Sequence, residues 1–185
     1  MTYAKFQGAL TVEPPLNKYE VKALTAFFGS RRILTHGGPL DCRDLPGFHS
    51  QVIDIAKPAE GQPGLWCDLK ISEDGKTLSW NDQSETTERN LDEWVIYVID
   101  HLFKEDAEFN IRERNFDLSD LDDDNLLRSF TFDHYVDGEM TGEVMVGDTW
   151  KILVKDNVVT LVKPVFTIPL AATAEVDADD EDEDE

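Results

Sequence analysis

Leu91, Trp94, Val95, Val98, Ile99, Leu102 and Phe103 follow i, i+3, i+4, i+7 spacing and predict a helix with one broad apolar stripe. Asn90 and Glu93 stand at its start with capping-box spacing. Upstream, Leu65, Cys67, Leu69 and Ile71 alternate as on the buried side of a strand. Glu73-Asp74-Gly75 supplies turn chemistry, and Thr77 to Trp80 predicts the returning strand. Phe6 to Val12 predicts an opening strand, ended by Pro14-Pro15. A helix follows, with Asn17 as N-cap, Glu20 completing a capping box, and Leu16 stapled to Val21. Val21, Leu24, Phe27 and Phe28 form its apolar face; Gly29 marks the stop, with Arg31 and Arg32 beyond.

Thr35 to Gly64 is rich in Gly and Pro and predicts a long ordered loop with one short strand at Val52 to Ile55. A strand is expected around Phe109 to Ile111, and a short helical turn in the acidic stretch Ser119 to Ser129. Gly142–Val146, Thr149–Lys155 and Val158–Lys163 predict a meander joined by two-residue turns at Gly147-Asp148 and Asp156-Asn157. This order predicts an α+β fold, a mostly antiparallel sheet with two main helices packed on one face. A ferredoxin-like arrangement with added strands fits it. The expected organisation is one domain over residues 1–170 and a disordered acidic tail over 171–185, where apolar residues almost vanish.

Charge changes the picture most. The 185 residues carry a formal charge of −22, and Glu175 to Glu185 holds nine carboxylates, leaving thirty acids against seventeen bases on the rest. Such a surface repels nucleic-acid phosphates and anionic membranes and attracts basic partners. Direct DNA or RNA binding and membrane association are therefore not expected. Two cysteines, Cys42 and Cys67, are too few for a disulfide framework. No basic-then-apolar leader opens the chain and no apolar run reaches membrane-spanning length, so a cytoplasmic location is expected.

Candidate chemistry is sparse. Asp120-Leu121-Asp122-Asp123-Asp124-Asn125 resembles the start of a calcium loop, but lacks its glycine and has Thr131 where the bidentate Glu belongs. Asp54 with Asp68-Leu69-Lys70 matches the residue types of a metal-dependent nuclease core, against the grain of an acidic surface. His36, His49, His101 and His134 are scattered, and His101, at the edge of a helical stripe, reads as structural. Phosphate-loop, zinc-protease and nucleophile-elbow motifs are missing, so no catalysis, metal or cofactor is expected. Trp80 and Trp94 fall on inward faces; Trp66 falls opposite Leu65 and Cys67.

Pro58 to Cys67 (Pro-Ala-Glu-Gly-Gln-Pro-Gly-Leu-Trp-Cys), with Ser72-Glu73-Asp74-Gly75, Leu78 and Trp80, resembles a family of proteins carried by bacteria and their phages. Gly142-Glu143, Trp150-Lys151 and Asp156-Asn157-Val158-Val159 continue the resemblance, which departs at Asn115 to Phe130 and at the tail. It implies a shared scaffold and a phage or mobile-element setting; no catalytic residues come with it.

The expected function is that of a non-catalytic acidic protein engaging a basic, nucleic-acid-binding surface of a host or defence protein, as a DNA-mimic inhibitor does. The candidate partner-binding residues are Asp117, Asp120, Asp122, Asp123 and Asp124, with Asp177, Asp179, Asp180, Glu181, Asp182, Glu183, Asp184 and Glu185 of the tail. The alternative is a phage structural or assembly accessory protein, for which self-association is open.

Overall fold

The computed structural model describes residues 4–36, 51–82, 90–110, 129–144 and 149–163. Strands β1 (Ala4–Glu13), β4 (Leu69–Ile71), β5 (Thr77–Trp80), β6 (Tyr135–Val144), β7 (Thr149–Lys155) and β8 (Val158–Val162) form one sheet in the order β4-β5-β1-β6-β7-β8. Every neighbouring pair is antiparallel. Helix α1 (Lys18–Gly29) follows β1, and α2 (Leu91–Val98) follows β5 and runs on as a π-helical turn, Ile99–Phe103. A separate two-stranded sheet pairs β2 (Ile33–Thr35) with β3 (Val52–Pro58). The β1-α1-β4-β5-α2-β6 core has the strand order of a ferredoxin-like sheet, and β7 and β8 are the added strands. The α+β reading is borne out.

One core explains the layering. Phe6, Leu10 and Val12 of β1, Leu69, Leu78, Val136, Met140, Ile152 and Val154 share a sheet face. They form a single cluster with Leu24, Phe27 and Phe28 of α1 and with the whole predicted stripe Leu91 to Phe103, every member of which is buried. Burying each such side chain contributes about 1.5–3 kcal/mol. The opposite face carries exposed Gln7, Thr11, Glu139 and Lys151 and stays in water. Gly142 permits close aromatic packing, since a Cβ there would sit 2.8 Å from both the Phe6 and Trp150 rings, which meet edge-to-face at 5.5 Å.

Several expectations need correction. The strand predicted from Leu65 begins only at Leu69. Leu65 O instead accepts a hydrogen bond from Arg32 N (2.8 Å), and Asp68 is buried beside Cys67, so the alternation fails. Phe109 lies in a turn, not a strand, because Glu108 N and Phe109 N donate back to Asp100 O and His101 O. β6 starts seven residues before Gly142, since Val136 and Met140 face the core with Gly138 between them and the apolar alternation is interrupted. β3 reaches Pro58 rather than ending at Ile55. α1 does stop at Gly29, as expected, and Ser30 beyond it is extended. The Asp156-Asn157 turn forms as predicted, with both residues at positive φ (49° and 66°). The Gly147-Asp148 turn, the acidic stretch 117–124 and the tail 171–185 lie outside the described residues.

Candidate functional site

All thirteen candidate partner-binding residues, Asp117, Asp120, Asp122–Asp124, Asp177, Asp179, Asp180 and Glu181–Glu185, fall outside the described residues. The described residues carry nineteen carboxylates against twelve Lys and Arg, a formal −7, so the larger part of the −22 belongs to the remaining stretches. Within the fold, four of these acids meet where three connections come together.

That place is an open hollow of about 590 Å³, lined by Lys104-Glu105-Asp106, Asp133-His134-Tyr135 and Asp156-Asn157-Val158. The first triplet follows the π-helical turn, the second leads into β6, and the third spans the β7–β8 turn. Its walls are tied together by one backbone hydrogen bond and by the Asn157 side chain. His134 N donates to Phe103 O (3.1 Å), while Asn157 Nδ2 donates to His134 O (2.9 Å) and Asn157 Oδ1 accepts from Val136 N (2.7 Å). Asn157 can do this because Asn tolerates the left-handed backbone it adopts. Glu105, Asp106, Asp133 and Asp156 are exposed. Among the described residues that line it, Lys104 is the one base of fixed charge. Its Nζ reaches Asp100 (2.8 Å) and Asp106 (3.7 Å), and the Asp100 hydrogen bond raises its pKa and keeps it protonated. Asp156 is met by Lys155 at 3.8 Å, and the four carboxylates, with the exposed Tyr135 ring and Val158 at the rim, can hold an ammonium or guanidinium group and the methylene stem behind it.

Behind the hollow lies a buried pair that sequence inspection misses. Glu20 and His134 are 0% and 1% exposed, with Glu20 Oε1 3.2 Å from His134 Nε2. Glu20 Oε1 also accepts from Thr131 N (2.7 Å), and Oε2 from Asn17 N (2.7 Å). His134 Nδ1 donates to Pro14 O at 2.7 Å, because a carbonyl oxygen can only accept. Burial pushes the Glu20 carboxyl up, but the His134, Thr131 and Asn17 hydrogen bonds and the His134 charge outweigh it and hold the pKa below 4.5. Burial likewise pushes His134 down, and the Glu20 and Pro14 hydrogen bonds overcome it and raise the pKa above 6.5. Both shifts favour an imidazolium facing a carboxylate, Thr131 Oγ1 lies 3.0 Å from the same Nε2, and the contacts fasten α1 to the strand-entry segment forming one wall of the hollow. Glu20 was legible as half of a capping box. Nothing near residue 20 announces a partner 114 positions away.

The other candidates separate. Asp54 lies on β3, where its Oδ1 accepts from Ala56 N (2.8 Å). Lys70 on β4 pairs with Asp82 (2.9 Å), and Asp68 is buried before that strand. Among the described residues no three His, Cys, Asp or Glu group as a metal site. His101 has the structural role read for it: Nδ1 meets Tyr97 O (2.8 Å), Nε2 meets Glu108 (2.8 Å), and the ring stacks on Tyr97 at 4.0 Å. Cys67 is buried, and burial raises its thiol pKa far above the range in which a thiolate forms. Trp94 is buried and Trp66 half-exposed. Arg32 is the surprise beyond α1: its buried guanidinium donates to Ser30 Oγ (2.9 Å) and Gln62 Oε1 (3.2 Å) and lies 4.1 Å over the Phe27 ring.

No helix among the described residues is long and apolar enough to cross a membrane. No family model, curated protein or solved structure matches this chain, so the resemblance of the Gly61–Cys67 run rests on its residues alone.

Proposed function

We propose that this chain is a non-catalytic acidic binding protein that engages a basic, nucleic-acid-binding surface of another protein in the cytoplasm of a host cell, competing with DNA for it. One observation carries the reading: four exposed carboxylates are mounted around an open hollow on three connections joined through His134 and Asn157, with Lys104 among them and Lys155 3.8 Å from Asp156. Carboxylates held on a rigid frame act as phosphates do toward Lys and Arg, without the ordering cost of a mobile chain. The acidic stretches 117–124 and 177–185 add to the long-range field by their charge.

The reading is tested by capture from a bacterial lysate, with captured partners then challenged by duplex DNA and by salt. Partners should be DNA-binding proteins, should be displaced by DNA, and should lose at least about tenfold in affinity between roughly 0.05 and 0.5 M salt. The combined E105Q, D106N, D133N and D156N variant should weaken them as well. Partners indifferent to salt and DNA would sink the reading. A chain ending near Pro169 separates the tail's contribution from the body's. The alternative, an assembly or structural accessory protein, is favoured by a different feature, the edge of β8, which is unpaired among the described residues.

A further inference from the structure

We infer that β8 is a self-association edge, on which a second copy of this chain adds antiparallel to β8 and joins two six-stranded sheets into one of twelve strands. The inference rests on the geometry of β8 and not on the basic-surface reading.

Val158-Val159-Thr160-Leu161-Val162 carries no charge and no proline, and its pairing with β7 runs without a bulge. Those are the usual devices that protect a sheet edge. The other edge, β4, is three residues long and displays Lys70, paired to Asp82. Among the described residues β8 pairs with β7 alone. Val158, Leu161 and Val162 are 65%, 39% and 42% exposed.

The register decides which backbone groups are free. Lys155 pairs with Val158 across the two-residue Asp156-Asn157 turn, and the closing pair of such a hairpin exchanges both ladder hydrogen bonds. By alternation, Val158, Thr160 and Val162 bond to β7, whereas Val159 and Leu161 turn their N–H and C=O groups outward. A second β8 satisfies those groups when Val159 of each copy lies opposite Leu161 of the other, with a two-fold axis at Thr160. This register sets Thr160 against Thr160 and Val158 against Val162 on one face, and Val159 against Leu161 on the other, all favourable cross-strand pairs. It is isologous and closes as a dimer. Charge agrees with it. Lys163, exposed at one end of β8, falls opposite Asn157 of the other copy and beside its exposed Asp156, whose own-chain partner Lys155 is a long 3.8 Å away, twice by symmetry.

Two bodies of −22 repel at long range, so salt should strengthen this contact, opposite to its effect on a basic partner. Sedimentation of the full chain over a range of concentrations should show a dimer whose fraction rises with salt. Thr160→Lys sets like charges face to face on an exposed position and should raise the dimer Kd at least about tenfold. Gln7→Lys, the same charge change on the exposed face of β1, should leave it unchanged. Thr160→Cys should give a disulfide-linked dimer under oxidising conditions, because the two axial Cα atoms would be about 4.5 Å apart in a non-hydrogen-bonded pair. A chain that stays monomeric at every concentration and salt overturns the inference. So does a dimer that Thr160→Lys leaves intact and Thr160→Cys does not lock.

Discussion

The two helices begin with the same four-residue signal, Asn-x-x-Glu, and end up differently. At α1, Asn17 is extended, its Oδ1 accepts from Tyr19 N (2.9 Å) and Glu20 N (3.1 Å), and Glu20 returns a bond to Asn17 N. At α2, Asn90 has φ −106° and ψ 29° and makes no side-chain cap; its Nδ2 donates to Pro63 O (3.0 Å), and Glu93 stays exposed. A capping box is worth about 1 kcal/mol, so one tertiary hydrogen bond of similar size can displace it. At α1 tertiary partners reinforce the local motif: Ser129 O accepts from Asn17 Nδ2, while Thr131 and His134 hold Glu20. At α2 the tertiary partner among the described residues, Pro63 O, pulls the asparagine away. Local motifs persist where the surrounding fold agrees with them.

This contrast can be pressed experimentally. The largest effect should come from Glu20 and His134, where removing either by Ala leaves an uncompensated buried charge or an empty site and should cost about 3–5 kcal/mol. Glu93→Gln at the equivalent place of α2 should stay within about 0.5 kcal/mol. Urea midpoints compare them, and equal losses would erase the distinction.

Next comes the pH response of the pair. His134 has a raised pKa, so its contribution is fully present below its unfolded value of 6.5 and is lost as pH rises through the folded value. Glu20 has a lowered pKa, so its contribution is present above 4.5 and is lost as pH falls through the folded value. The stability advantage of the unmodified chain over His134→Gln should therefore peak between pH 4.5 and 6.5 and shrink on both sides. An advantage independent of pH would mean the pair is neutral.

The smallest effects separate the asparagines. Asn17→Ala removes a cap and the Ser129 bond and should cost about 2 kcal/mol. Asn90→Ala removes one bond, to Pro63 O, and should cost about 1 kcal/mol. A reversed order would show that α2 depends on Asn90 in a way its geometry does not display.

How much was legible follows from the range of the interactions involved. The α2 stripe, the α1 capping box, the Gly75 and Asp156-Asn157 turns and the β7–β8 hairpin are short-range patterns, and each formed. Leu65 to Leu69 failed as a strand because Arg32, more than thirty residues away, takes the Leu65 carbonyl. The hollow was not legible, since its three triplets sit near residues 105, 134 and 157 and only the strand order brings them together. Acidic composition pointed to charged runs, and the fold added four carboxylates that do not belong to any run.

Hydrophobic periodicity and turn chemistry alone determined the class of this protein, its helix faces, and its α+β layering. Those signals are local, set by which side chains must leave water and which backbone angles a residue tolerates. The tertiary structure decided which Asn caps a helix, that His134 meets Glu20, that four acids surround one hollow, and that β8 is left at an edge among the described residues. Each of these depends on contacts between segments distant in the chain, whose free energy is realised only once the sheet has assembled.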